Sequence, residues 1–234
     1  DYSRGALKVQ FFTNILDGNA PALMAIGLDG NAIRFKFKTN TYDFSVSNIS
    51  TIGTHHVISY GANARYNKFD LSIAPDGSSR SEQGVYVQDE MFLSKHFRWL
   101  VGARLDNFDI LDKPVVSPRT TFMIKPTEQH TFRLSYNQAY RAPSLTNNYL
   151  KTAILQQFDM GLLVMPDGTT PFKGRTFTFP MGAEGNANLK KTALKAYEIG
   201  YVGTFANRVQ FNLAYYYNDT TDDAFFSADQ IYSS

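Results

Sequence analysis

The chain has 234 residues and a net charge of +2 at pH 7, with 43% hydrophobic and 19% charged residues. None of its apolar runs approaches the ~20 residues that a membrane-spanning helix needs, which excludes a helical membrane protein. Aromatic residues make up 15% of the chain, including 19 Phe and 14 Tyr. This content is high for a soluble domain and is typical of a β-barrel with aromatic girdles at both membrane interfaces.

Apolar and polar residues alternate with a period of two in nine stretches, which predicts nine strands. In chain order the stretches are 7–15, 33–46, 58–67, 85–93, 97–106, 117–124, 131–141, 196–205 and 209–217. The clearest is 131–141, where Phe132, Leu134 and Tyr136 alternate with Arg133 and Ser135. A pleated strand places these two sets on opposite faces, so one face suits lipid and the other suits water.

Local signals add detail to this reading. Asp17-Gly18-Asn19 predicts a turn after the first strand, and residues 71–82 predict a solvated loop. In the second stretch the apolar residues change parity, which predicts a β-bulge near residues 39–41. That bulge places Ile33, Phe35 and Phe37 outward and Arg34, Lys36 and Lys38 inward. The facing of 85–93 stays open because Asp89 shares a parity with the apolar residues there.

The connections between strands sort by length. Those near 51–55, 94–96, 126–129 and 206–208 are short, whereas those at 17–30, 71–82 and 142–192 are long, with a brief exception at 109–114. Transmembrane barrels alternate tight periplasmic turns with long outer loops, and sandwiches have no reason to do so. Within 142–192, the spacing of Leu150, Ile154 and Phe158 is typical of a helix. An odd count of nine strands indicates part of a larger barrel.

Three motifs follow one another in the second half of the chain. They are Arg141-Ala142-Pro143-Ser144 at the end of a strand, Asn186-Ala187-Asn188-Leu189-Lys190 at the end of the long connection, and Tyr197-Glu198-Ile199-Gly200 in the next strand. In this order they resemble the barrel of a TonB-dependent outer-membrane receptor. The resemblance implies an all-β, antiparallel transmembrane β-barrel of about 22 strands with a plugged lumen. Residues 1–234 are then a segment of about nine strands, with the plug domain absent from this chain.

The resemblance also implies a function. Such receptors import a scarce nutrient, of the ferric siderophore, cobalamin or glycan class, with energy from the TonB system. The expected partners are outer-membrane lipid, the plug and through it TonB, and a small-molecule or glycan ligand, with no nucleic acid. The expected location is the cell outer membrane. The alternatives are a passive porin or surface adhesion barrel and, less favoured, a secreted soluble β-sandwich that binds carbohydrate.

The alternation predicts a basic lumen. It places nine cations inward against Asp43, Asp106 and Glu198, namely Arg34, Lys36, Lys38, Arg65, Arg98, Arg104, Arg119, Arg133 and Arg141. We expect an anionic partner for this surface, either carboxylates of the plug or an anionic substrate. The candidate residues facing plug or ligand are Arg65, Arg104, Arg119, Arg133, Arg141 and Glu198.

Asn147, Asn148 and Tyr149 follow the Arg-Ala-Pro-Ser motif at the barrel rim and are candidate outer ligand contacts; the alternative is a loop packed on its own helix turn. The four histidines lie in or beside the short turns, which disfavours a haem receptor in this segment. The sequence carries no catalytic motif, so we expect neither an enzyme nor a cofactor.

Overall fold

The computed structural model describes residues 2–20, 25–26, 34–206 and 208–224. In chain order the elements are β1 (Tyr2–Ala20), β2 (Ala25–Ile26), β3 (Phe35–Ile52), β4 (His56–Leu71), β5 (Ser79–Phe92), β6 (Phe97–Phe108), β7 (Val115–Thr127), β8 (His130–Arg141), α1 (Leu145–Tyr149), β9 (Lys151–Asp159), a 3-10 helix (Met160–Leu162), β10 (Thr176–Glu184), β11 (Thr192–Phe205) and β12 (Val209–Thr221). None of the helices in these residues is long and apolar enough to cross a membrane.

Nine strands form one antiparallel sheet in the order β1-β3-β4-β5-β6-β7-β8-β11-β12. The remaining strands form a small sheet in the order β10-β9-β2, built from the outer connections. Within the described residues β1 and β12 do not pair with each other, so the large sheet is an open wall. This confirms the prediction of a partial antiparallel barrel.

The wall has almost no core of its own. Among the described residues the buried hydrophobic side chains are Ala74, Val115, Leu145 and Ala153. A β-sandwich buries the facing sides of two packed sheets, so this arrangement excludes the soluble sandwich. The wall strands have 12 to 19 residues, longer than the ~9–11 residues that cross a membrane. They therefore extend beyond the hydrocarbon region.

Cross-strand register fixes which side chains share a face, because directly paired residues point the same way. Leu134 pairs with Ile199 and Phe122, and Ile199 pairs with Tyr215, so an apolar row runs across four strands. Leu134 and Ile199 are 58% and 59% exposed. An apolar surface of this extent requires lipid, which identifies the outward face. Register places Tyr197, Ile199 and Tyr201 of β11 and Phe211, Leu213 and Tyr215 of β12 on this face.

The predicted bulge near residues 39–41 is wrong. The register of β3 against both neighbours is continuous through this region, so Phe35 and Phe37 share the inward face with Asp43. Lys36 and Lys38 therefore point outward, contrary to the prediction. This end of the strand lies beyond the membrane band, where lipid no longer dictates which face is apolar. Ile33 lies outside the described residues.

The turn predicted at Asp17-Gly18-Asn19 is also wrong, because β1 continues to Ala20. Gly18 lies opposite Phe37, and a Cβ at Gly18 would sit 2.2 Å from that phenyl ring. The glycine is thus needed for close packing of a ring on the strand. Likewise, β5 already begins at Ser79, so the predicted loop 71–82 is shorter than expected.

The helical spacing of Leu150, Ile154 and Phe158 does not produce a helix over these residues. The chain forms α1 over only Leu145–Tyr149 and then β9, which pairs along its length with β10. A three-residue pattern is weak, and the hairpin partner outweighs it.

The predicted short turns are confirmed and lie at one end of the wall. They join β3 to β4, β5 to β6, β7 to β8 and β11 to β12. In the first of them Gly53 has φ of +60°, a left-handed conformation that glycine adopts without strain. Tight turns mark the periplasmic end of such barrels, which makes the opposite end the outer one.

Candidate functional site

The inward face carries a set of paired charges. Arg65 donates to Asp43 at 2.8 Å, Arg98 lies 3.5 Å from Glu90, Arg104 lies 2.6 Å from Asp106, and Arg133 pairs with Glu198. Register places all of these side chains on the face opposite the lipid-facing residues. The facing of β5, left open by the sequence, is thereby settled: Glu90 is inward and Asp89 is outward.

These pairs change the charge balance predicted from the sequence. The expected excess of inward cations is smaller, because Lys36 and Lys38 point outward and Glu90 adds an acid. The guanidinium side chains of Arg65, Arg98 and Arg104 remain 37 to 42% exposed, so each pair contributes at most about 1 kcal/mol to stability. The inward face is therefore a solvated polar surface with mostly local neutralisation.

A glycine on the inward face makes room for one of these pairs. A Cβ at Gly84 would lie 2.1 Å from Nη2 of Arg104 and 2.4 Å from Oδ1 of Asp106. The Arg104 guanidinium occupies this space and also donates to Asn63 Oδ1 at 2.5 Å. The sequence pattern gave the facing of Arg104 but not this neighbour.

Arg119 differs from the other inward arginines. Its side chain makes no hydrogen bond or ion pair with the described residues and is exposed. It borders a cavity of about 400 Å³ on the inward face of β5 to β8. The other inward polar side chains that line this cavity are Tyr86, Gln88, Arg104, Ser117 and Asn137.

Residues 142–150, which we call the strap, leave the end of β8 and fold inward. Pro143 cannot donate to a strand ladder, and Ser144 caps α1 by accepting a hydrogen bond from the Asn147 amide at 3.1 Å. The Lys151 amide then donates to the Ile73 carbonyl at 2.8 Å, in the connection between β4 and β5. The strap thus spans from β8 to the outer end of β4 and β5.

Arg80 fixes the strap to the wall. Its Nη2 donates to Asn148 Oδ1 at 2.6 Å, and its guanidinium lies 5.6 Å from the centre of the Tyr149 ring. Asn148, which is 3% exposed, also donates from Nδ2 to the Asn186 carbonyl at 2.9 Å. Asn147 lies on the same turn, where its Oδ1 accepts from Ser144 Oγ at 2.8 Å. The three residues predicted as ligand contacts therefore all take part in holding the strap.

A second cavity, of about 470 Å³, lies between the strap and the outer ends of β4 to β6. Its charged lining residues are Arg80, Glu82, Asp109 and Arg141, and Arg141 lies 2.8 Å from Asp223. Its apolar lining is larger and comprises Phe69, Leu71, Phe108, Ile110, Pro143 and Leu145 among others. We call this space the outer cavity. Sequence reasoning missed Arg80 and Glu82 because they lie in a segment predicted to be a loop.

The histidines lie near the periplasmic turns and contact protein groups. His56 Nδ1 is 2.7 Å from Asp89 Oδ2, His96 Nδ1 is 2.8 Å from the Lys125 carbonyl, and His130 Nδ1 is 2.8 Å from the Tyr201 hydroxyl. Within the described residues no group of His, Cys, Asp and Glu is arranged to hold a metal ion.

Comparison with known proteins identifies the class of this wall. The family described as TonB dependent receptor-like, beta-barrel, matches residues 2–234. The chain therefore belongs to this family, whose members are outer-membrane proteins. Among curated protein sequences, none matches this chain.

Solved structures share the fold. The siderophore receptor PirA from Acinetobacter baumannii has 15% identity and a TM-score of 0.65 over 93% of this chain and 32% of that one. PirA from Pseudomonas aeruginosa has 17% identity and a TM-score of 0.62 over 94% of this chain and 41% of that one. The ferric enterobactin receptor PfeA in complex with BCV-L6 has 18% identity and a TM-score of 0.66, over 92% and 32%. The chain thus spans about a third of the length of most of these proteins.

Proposed function

We propose that this chain forms part of the wall of an active importer, an outer-membrane receptor that takes up a scarce nutrient with energy delivered through a plug by the TonB system. The observation that carries the proposal is the inward face, where charged and amide side chains stay solvated instead of packing into a core. Such a surface suits a lumen that holds an inserted domain and admits a polar cargo. The family membership supports the same conclusion.

The outer cavity supports a ligand class. Its lining at the entrance of the lumen is mostly apolar and includes two acids, Glu82 and Asp109, beside Arg141. Arg141 pairs with Asp223 but stays 71% exposed, so its guanidinium remains open to a ligand. An anionic chelate with aromatic groups satisfies both features, because a guanidinium binds carboxylate or catecholate oxygens while rings bury against apolar side chains. We therefore place ferric siderophores before cobalamin and glycans. The similar structures named as siderophore receptors agree with this order, although their identity to this chain shows only the fold.

Uptake by intact cells tests the proposal. The full-length receptor is expressed in a host that lacks its own receptors for these ligands, and accumulation of labelled ferric siderophores, cobalamin and oligosaccharides is measured with and without TonB. We expect saturable accumulation of one class that disappears without TonB. Uptake that is linear in concentration and independent of TonB favours the passive porin instead.

The predicted ligand contacts are tested in the same assay. Arg141→Gln and Asn147→Ala should raise the ligand concentration at half-maximal uptake, since both residues lie at the outer cavity or on its strap. Lys36→Gln, an outward-facing change at the same end of the wall, is the matched control and should leave uptake unchanged. Equal effects of all three changes contradict the assignment of the outer cavity.

A further inference from the structure

Arg119 is the one arginine of the described inward face without an acidic partner. Arg65, Arg98, Arg104 and Arg133 each pair with a carboxylate of the wall, and Arg141 pairs with Asp223. Each of these inward arginines has an acid beside it. The exposed guanidinium of Arg119 is an exception to this pattern. This exception is the starting point of the inference.

The acids of the wall do not reach Arg119. Asp106 accepts from Arg104 Nε with both carboxylate oxygens, at 2.7 and 2.9 Å. Glu82 is an inward acid that forms no ion pair with the described residues. It lies six residues along β5 from Gln88, and Gln88 is level with Arg119. Six residues of a strand span about 20 Å. The residues paired with Arg119 across the sheet are Gly102 and Asn137, both uncharged.

The surroundings of Arg119 leave space for a ligand. Gly102 has no side chain to cover the guanidinium, and the adjoining cavity has a volume of about 400 Å³. Tyr86, Gln88 and Asn137 on its border carry hydroxyl and amide donors. A guanidinium fork with neighbouring neutral donors is suited to a carboxylate, which accepts two parallel hydrogen bonds from arginine.

We propose that Arg119 is the anchor for a carboxylate of the plug that fills the lumen, an inference that rests on the proposed function. Depth selects this occupant. Arg119 pairs with Asn137, and Arg141 lies four residues further outward on β8, about 13 Å away. A ligand arriving from outside meets the strap and the outer cavity first. The deeper site faces the space that a standing domain occupies.

The proposal singles out Arg119 among the inward arginines. Arg104 and Arg133 are already neutralised by Asp106 and Glu198, so their removal should not release the plug. Arg119→Glu replaces attraction of the carboxylate by repulsion, and Arg119→Gln removes the charge alone. The double variant Arg98→Gln with Glu90→Gln removes an inward wall pair that does not line the Arg119 cavity, leaves the net charge unchanged and is the matched control.

Conductance of the purified full-length receptor in a planar lipid bilayer tests the anchor. Loss of a charge-assisted bidentate contact should raise the frequency of open events about tenfold or more for Arg119→Glu, with a smaller rise for Arg119→Gln. The Arg98/Glu90 double variant should stay as closed as the wild type. Acids of the plug are then changed to lysine one at a time in the Arg119→Glu receptor. The change at the partner acid should restore the closed state, because it restores an opposite-charge pair.

Several outcomes overturn the anchor. A folded Arg119→Glu receptor that stays closed does so, as does a control double variant that opens equally. Unchanged conductance with reduced uptake of an anionic ligand assigns Arg119 to the passing substrate instead. If Arg119→Glu does not fold, Arg119→Gln and Arg119→Lys test the anchor instead. The frequency of open events should rise for Arg119→Gln and not for Arg119→Lys, which keeps the positive charge. The conductance assay needs no energy source, so it tests the anchor independently of uptake. If the Arg119 variants raise the conductance but the cells show no TonB-dependent uptake, the proposed function is refuted and the anchor is supported.

Discussion

Arginine placed at Leu213 and at its neighbour Asn212 should have opposite consequences. Leu213 points outward and is 59% exposed, whereas Asn212 shares the inward face with its cross-strand partner Val202. Leu213 lies four residues beyond Val209, where β12 begins after its periplasmic turn. Four residues span about 13 Å, and a tilt near 45° reduces this to about 10 Å of depth. This depth is close to half of the ~25 Å apolar band of such barrels, so Leu213 lies near the membrane midplane.

An arginine at the midplane of the lipid face costs about 2 to 4 kcal/mol, and each 1.4 kcal/mol is tenfold. We therefore expect Leu213→Arg to lower the equilibrium constant for folding into lipid vesicles by about 30- to 700-fold. Asn212→Arg, on the polar inward face, should stay within a few-fold of the wild type. Denaturant titration of the full-length receptor, read by the gel mobility of the folded barrel, measures both. A larger loss for Asn212→Arg shows that the assigned faces are inverted.

Three further changes test the turns and the strap. Gly53→Val should cost about 1 to 3 kcal/mol, because φ of +60° is strained for a β-branched residue, and a denaturation midpoint equal to wild type contradicts this. Arg80→Ala should accelerate hydrogen exchange at the Asn148 amide, since it removes a hydrogen-bond partner of the buried Asn148 side chain; slow exchange in the variant shows that the strap holds without Arg80. The backbone N–H and the hydroxyl of Thr169 donate hydrogen bonds to the Asp167 carboxylate, which lowers the pKa of Asp167 below its ordinary 3.8. These bonds therefore stabilise the Asp167–Thr169 turn fully above pH 3.8, and the stabilisation is lost as the pH falls through the lowered pKa. An NMR titration should show this transition in the wild type and not in Asp167→Asn.

The outward and inward faces of most wall strands were predictable from the sequence. Lipid rejects polar side chains, so every second residue within the membrane band is constrained, and the pattern of residues such as Leu134 and Arg133 records that constraint. The lengths of the turns are equally local, because a tight connection leaves no room between two alternating stretches. Class and wall architecture therefore followed from periodicity together with the three motifs.

The candidate site was predictable only in part. Alternation predicted that Arg104 and Arg119 face inward. It did not predict that Arg104 has an acidic partner and Arg119 has none, because both are simply cations on a polar face in the sequence. The importance of Asn148 was visible as a polar residue after Pro143, while its partner Arg80 lies 68 residues away in sequence. Contacts of this kind depend on how far the strap reaches across the lumen, which no local pattern records.

The sequence by itself determined that this protein is a membrane wall of antiparallel strands, because lipid and water impose their contrast on alternate residues wherever the chain crosses the bilayer. Only the tertiary structure decided what happens where that contrast ends. Outside the band Phe37 turns inward against Gly18 and Lys36 turns outward, since packing of neighbours replaces lipid as the selecting force. Inside the lumen, register decides that Asp106 neutralises Arg104 while Arg119 faces Gly102, because a charge is compensated by whichever residue the adjacent strand brings beside it.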